Sequence, residues 1–231
     1  VQVITIDRVA PMDRAFQAML DQCTTRYYVQ VDADMLLHAD CVGALHEAIT
    51  TKHKGAAMVC APLWDVFDDR PIYGVKIYDH AITARFPYQE SLSCEVHQMA
   101  RMEAAGHRWS LVPLAERPQC YGLHGTLYTP REAFLRYRGL AWKQRRSLVT
   151  HPPLGQILWI EPYHQRHLEA WRKTGDPVRL AAAMGLMAGV MEPLPPLRED
   201  DYRDTDATWS ELEARYFKPR DLPKWIENWR G

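Results

Sequence analysis

Asp32 and Asp34 close an apolar run in YYVQVDADMLLHAD, residues 27–40, with a single alanine between them. In a strand, alternate side chains share a face, so this spacing predicts two carboxylates held side by side and Ala33 pointing the other way. Two like charges so placed repel each other. The chemical solutions are a divalent metal, a paired base or a shared proton. Which of them applies depends on what the rest of the chain brings to the same place.

The elements that must position this pair follow from periodicity. VQVITI, residues 1–6, reads as a strand, and Pro11 opens a segment in which Met12, Phe16, Met19, Leu20 and Cys23 recur at helical spacing. With residues 27–31 as the next strand, a β-α-β unit is expected, its two strands parallel and buried. That puts Asp32 and Asp34 at a carboxyl strand end, where open α/β sheets bind ligands. A helix over about residues 40–51, with Val42, Leu45 and Ile49 on one face, then leads to a strand in AAMVCAP, with Trp64 and Asp65 in the loop after it. IYGVKIY and HRWSLVP read as strands, and residues 91–105 as a helix with Leu92, Val96 and Met99 inward, ended by Gly106. YGLHGTLY is a loop or short strand. TPRE then starts a helix, with Thr129 as cap, Pro130 in the first turn and Glu132 closing a capping box.

Beyond about residue 140 the texture is helical. Residues 162–174 form one helix stopped by Gly175, Asp176-Pro177 starts a second and TWSE at Thr208 a third. The proline-rich, then charged, residues 191–204 read as a surface linker. Six of the eight tryptophans lie in this last part: Trp142, Trp159, Trp171, Trp209, Trp225 and Trp229. So much bulky apolar surface suggests a helical subdomain or a partner surface.

Composition narrows the class. A chain of 231 residues that is 47% hydrophobic can bury a real core. Its 28 basic and 29 acidic residues leave a formal charge of -1, without the basic footprint of a nucleic-acid binder. Cys23, Cys41, Cys60, Cys94 and Cys120 are odd in number and form no CxxC pair, which fits reduced core thiols better than a zinc cluster or disulfide framework. The longest apolar run, residues 180–191, falls short of the roughly 18 residues of a spanning helix. No basic region precedes an apolar run at the start, so no signal peptide is expected and the cytoplasm is the default compartment.

A strand ending in Asp-x-Asp ahead of a short loop and helix, within an α/β sheet, resembles the DxD motif of GT-A glycosyltransferases, especially the family 2-like enzymes. The helix rich in small and apolar residues that precedes the motif in that family is matched by PMDRAFQAMLDQCTTRYYVQVDAD. SCEVHQMARMEAAGHRWSLVP has the spacing of a second family element, with Glu95 in place of an aspartate and Cys94 in place of the preceding glutamate. His124 in YGLHGTLYTPRE stands where the family has a downstream histidine. The resemblance implies a GT-A domain over residues 1–139, Rossmann-like with a mostly parallel sheet. Residues 140–231 would then be a helical extension that shapes the acceptor site or a homo-oligomer interface.

The activity so implied is inverting transfer of a hexose-type unit from a nucleotide-sugar to a hydroxyl of a carbohydrate, lipid-linked or other acceptor. Asp34 is expected to contact a divalent metal directly, and Asp32 to meet the ribose, or the metal through water. His124 would add a neutral imidazole, which favours Mn²⁺ over Mg²⁺. Glu95, opening its helix, would take the acceptor's proton as the sugar is attacked from the opposite face. Arg14 would meet a phosphate with its guanidinium, and Trp64 and Asp65 would line the sugar or acceptor site. Set against the family, the resemblance implies that its first strand and helix are compressed or missing here, so Asp7 is the candidate for a base contact and the nucleotide is unassigned.

Two other classes compete. A haloacid-dehalogenase-like phosphohydrolase also ends a strand in DxD, but needs a threonine or valine where Leu36 stands and an acidic pair at a strand end where Asp68-Asp69 follow WDVF. A catalytically inactive sugar-nucleotide-binding module would tolerate Glu95 in the aspartate's place. The cytoplasmic expectation includes peripheral attachment to a membrane.

Overall fold

The alternation in residues 58–65 and 70–79 supplies the middle of a sheet. In the computed structural model, which describes residues 1–89, 94–113, 121–125, 128–150 and 160–194, these are the two longest strands. The elements in chain order are α1 (Met12–Gln22), β1 (Tyr27–Gln30), β2 (Met35–Leu37), α2 (Cys41–Glu47), β3 (Met58–Asp65), β4 (Arg70–Asp79), α3 (His80–Thr83), α4 (Cys94–Ala104), β5 (Trp109–Leu111), β6 (Gly122–His124), α5 (Pro130–Thr150), α6 (Ile160–Thr174) and α7 (Pro177–Met191). One π turn, Ala48–Lys52, prolongs α2, so the helix expected to residue 51 is present with a loosened last turn. The chain divides into two units, Val1–Leu127 and Tyr128–Gly231, and the boundary expected near residue 139 falls inside α5.

The first unit is an α/β fold on a mixed sheet, with strand order β1-β4-β3-β6-β2 and β5 beside β3. β3 runs parallel to β5 and β6, whereas the β1/β4, β3/β4 and β2/β6 pairs are antiparallel. The expected β-α-β unit with parallel strands is therefore corrected. Residues 1–10 form no strand, and Val1 and Val3 stand exposed. VQVITI has the pattern of a strand, but a strand persists only where a neighbour takes its backbone hydrogen bonds, and none among the described residues does. β1 instead lies along β4, Tyr28 opposite Tyr78 with their rings stacked at 4.9 Å. The strand expected to end with AAMVCAP also runs further, taking Trp64 and Asp65 into β3 rather than a loop.

Alternation sorts the sheet into two faces. Val59, Ala61, Leu63, Val75 and Ile77 pack with Cys41, Leu45 and Ile49 of the α2 segment. Met58, Cys60 and Tyr78 face the other way with Met99, while Leu20, Phe16 and Cys94 join α1 to α4 beside Tyr28. Each fully buried aliphatic side chain contributes about 1.5–3 kcal/mol, so both faces of the sheet carry stabilising cover. Burial also pushes the Cys60 thiol up to about 11, which keeps it inert, and Cys23, Cys41, Cys60 and Cys94 are all free.

α4 begins at Cys94 and ends where Gly106, at φ 83°, takes a left-handed turn that other residues adopt only at a cost. Part of the helix expected over 91–105 lies outside the described residues. In the second unit the capping box at α5 forms as read: Glu132 accepts from the Thr129 backbone N–H at 2.8 Å and the Thr129 hydroxyl accepts from the Glu132 N–H at 3.3 Å. α6 ends before Gly175, and Asp176 caps α7 by accepting from the Val178 N–H at 2.9 Å. α7 is buried all round from Ala181 to Gly189, and its small residues let α5 approach closely. The expected helix at Thr208, most of the linker at 191–204, and Trp159, Trp209, Trp225 and Trp229 lie outside the described residues. No helix among the described residues is long and apolar enough to cross a membrane.

Candidate functional site

The acidic pair does not sit in a strand. β1 stops at Gln30, Ala33 and Asp34 form a turn, and β2 starts at Met35. Period-two alternation therefore lapses where it was expected to align the two carboxylates, and the turn sends them to different surroundings.

Asp34 faces the β2/β6 side. Its carbonyl accepts from the Gly125 N–H at 2.9 Å, extending the register in which Met35 lies opposite His124. Its Oδ2 lies 3.7 Å from His124 Nε2. The other ring nitrogen, Nδ1, is 2.8 Å from Asp65 Oδ2, since the parallel register of β3 and β6 sets Asp65 beside His124. Asp65 Oδ1 in turn accepts from the Phe67 and Asp68 N–H groups at 3.0 and 2.7 Å, which ties the carboxylate into the turn that follows β3. Asp65 and His124 are both buried, at 6% and 9% exposure.

Asp32 faces a second nook. Gln30 Nε2 donates to its Oδ1 at 3.3 Å, and the buried Tyr78 hydroxyl donates to Gln30 Oε1 at 3.2 Å. Next to Gln30 in the register is Lys76, whose Nζ donates to Glu95 Oε1 at 2.7 Å. Asp32 keeps solvent access, yet enough protein crowds its carboxyl that desolvation, then the nearby Glu95 charge, holds its pKa above the usual value. Burial alone would lower the Lys76 ammonium; Glu95, Cys60 and Asp32 outweigh it, and its pKa is raised. The lysine is thus a cation paired with Glu95 and within electrostatic reach of Asp32.

The other expected site residues are dispersed. Arg14 is exposed on α1. Asp7 is exposed in the unpaired segment before α1, 3.3 Å from the Arg8 guanidinium. Glu95 opens α4 as expected, but as the ion-pair partner of Lys76 rather than as a lone acid. Trp64 is half-buried.

Asp34 and His124 offer a carboxylate oxygen and an imidazole nitrogen, a donor set that suits Mn²⁺. Their 3.7 Å separation is less than twice the roughly 2.1 Å bond typical of such ligands, so both atoms can reach one ion. Among the described residues no group of three or more His, Cys, Asp or Glu is placed to hold a metal.

Lys76 and Gln30 were not recognised from sequence as parts of these nooks, and Asp65, expected to line the sugar or acceptor site, was not expected to hold His124. Lys76 carried the one available signal, a lone charge inside the apolar strand IYGVKIY. The chain matches no family model, no curated protein and no solved structure.

Proposed function

We propose that the first unit is a metal-dependent glycosyltransferase that moves a sugar from a nucleotide-sugar to a hydroxyl acceptor, with Asp34 and His124 holding the cation. The observation that supports it best is the convergence of a turn carboxylate and an oriented imidazole within 3.7 Å, at the sequence motif that resembles a DxD. A divalent cation bound there would stabilise the charge that develops on the departing diphosphate. Asp32, protonated more readily than an ordinary carboxyl, is suited to hydrogen-bond a ribose hydroxyl beside it. Glu95 would accept the acceptor's proton as its oxygen bonds to the anomeric carbon and the bond to the diphosphate breaks, the electron pair leaving with the phosphate oxygen. Lys76 would hold that carboxylate in place through its 2.7 Å ion pair.

The same ion pair favours a second reading, a module that binds a sugar nucleotide without turnover. One experiment addresses both. UDP-, GDP- and dTDP-sugars are screened with Mn²⁺ for thermal stabilisation, where saturation at about 100 times Kd contributes about 2.7 kcal/mol. Asp34→Ala is expected to abolish the Mn²⁺-dependent shift while leaving the unliganded melting point in place, since Asp34 is only half-buried in a turn. Glu95→Gln is expected to keep the shift and lose transfer. Stabilisation without any sugar transfer by the wild type selects the binding module. A shift that survives chelation contradicts the metal role.

A further inference from the structure

We infer that Asp65 is a positioning residue that fixes His124 in the tautomer carrying its proton on Nδ1, so that Nε2 presents a lone pair toward the Asp34 side. This inference rests on the reading of Asp34 and His124 as a cation site.

A carboxylate accepts hydrogen bonds and cannot give one, so the 2.8 Å contact between Asp65 Oδ2 and His124 Nδ1 requires a proton on that nitrogen. Neutral imidazole has one N–H, and Nε2 is then bare. Asp34 cannot set this choice, since its 3.7 Å distance to Nε2 is too long for a hydrogen bond. The Asp65 carboxylate is itself immobilised, its other oxygen held by the Phe67 and Asp68 N–H groups at 3.0 and 2.7 Å. The residues come together because β3 and β6 run parallel with Asp65 opposite His124, so ring and carboxylate lean the same way from neighbouring strands. A carboxylate so placed behind a ligating histidine fixes ring orientation and raises ligand basicity.

Asp65→Asn separates positioning from architecture. The amide oxygen still accepts from the turn, while its NH₂ replaces the oxygen that faced Nδ1. A donor facing Nδ1 requires that nitrogen to be bare, which moves the ring proton to Nε2 and removes the lone pair. The full chain, labelled with ¹⁵N-histidine, would be observed by NMR without metal at about pH 9, above the ordinary imidazole range. Mn²⁺ affinity would be read separately from the electron paramagnetic resonance of the free ion. The wild type is expected to show the Nδ1–H signature for His124, and Asp65→Asn the Nε2–H signature with Mn²⁺ bound 10- to 100-fold more weakly. Unchanged affinity in Asp65→Asn, with Asp34→Ala still abolishing binding, overturns the role of Asp65 and spares the cation site. If the wild type binds no Mn²⁺, or Asp34→Ala binds it as well, the cation reading fails and this inference with it. The wild-type spectrum is decisive even if the variant does not fold: a ring protonated only at Nε2 overturns the proposal.

Discussion

The sheet unit and the helical unit differ in how their elements meet. Around the sheet's rim, buried or half-buried polar groups are paired across strands and helices: Asp65 with His124, Lys76 with Glu95, Tyr78 with Gln30. In the second unit, α5 and α7 meet instead through small residues, and a methyl group added at Gly185 would lie 2.2 Å from the Phe134 carbonyl oxygen. Around that contact Arg138 pairs with Glu192 at 2.7 Å, and Arg145 donates to the Gly189 and Glu192 carbonyls, satisfying the end of α7. Polar pairing leaves room for chemistry, because a charge can be moved or a proton relocated without moving the backbone. A close backbone approach such as that at Gly185 leaves none at that contact.

The largest effect expected from this contrast is in α7. Gly185→Ala forces a Cβ into the α5 backbone and should cost about 3 kcal/mol or more in urea unfolding, because a main-chain carbonyl cannot rotate aside as a side chain can. Gly43→Ala in α2, where nothing lies within 4 Å of an added Cβ, should gain about 0.4–1 kcal/mol from helix propensity. Equal effects at the two glycines would break the distinction between the units.

A smaller effect concerns protons. His164, buried on α6, has its pKa lowered to about 4 by desolvation and then by Arg172. The unfolded chain therefore binds this proton more tightly. The stability tied to the neutral ring is full above about pH 6.5 and is lost as pH falls toward about 4, up to about 3 kcal/mol. His164→Gln should make the unfolding free energy much less sensitive between pH 7 and 4.5. An undiminished acid response in the variant would place the sensitivity elsewhere.

What the chain's sequence disclosed was mostly what is local. The Thr129–Glu132 capping box, the Asp176 cap, and the helix ends at Gly106 and Gly175 are set by neighbours three or four residues apart, and each forms as expected. Glu95 at a helix start was legible for the same reason. Strand partners were not. The apolar pattern of residues 27–30 says that they pair with something, and nothing in it says that the partner is the antiparallel β4 rather than residues 1–6. The Asp65–His124 contact spans 59 positions and depends on the β3/β6 register, and the Asp32/Asp34 separation depends on a turn at Ala33. Sequence therefore named most acids and bases of the site, but not their partners.

The subtlest test returns to Asp32, whose response to pH should oppose that of His164. Its pKa is raised in the fold by desolvation and by Glu95, so the folded chain binds the proton more tightly than the unfolded one. The stability it contributes is present below the ordinary carboxylate value of 3.8 and is lost as pH rises through the raised value, since the ionised form is the disfavoured one. Asp32→Asn keeps an acceptor for the Gln30 amide and removes the charge. It should leave neutral-pH stability equal to the wild type or slightly above it and flatten the decline over this window, read by urea unfolding from pH 3.5 to 7. Nucleotide-sugar binding should weaken in the same variant, because a site that keeps a disfavoured charge trades stability for function. A clear loss of stability at neutral pH would mean instead that the carboxylate holds the turn together.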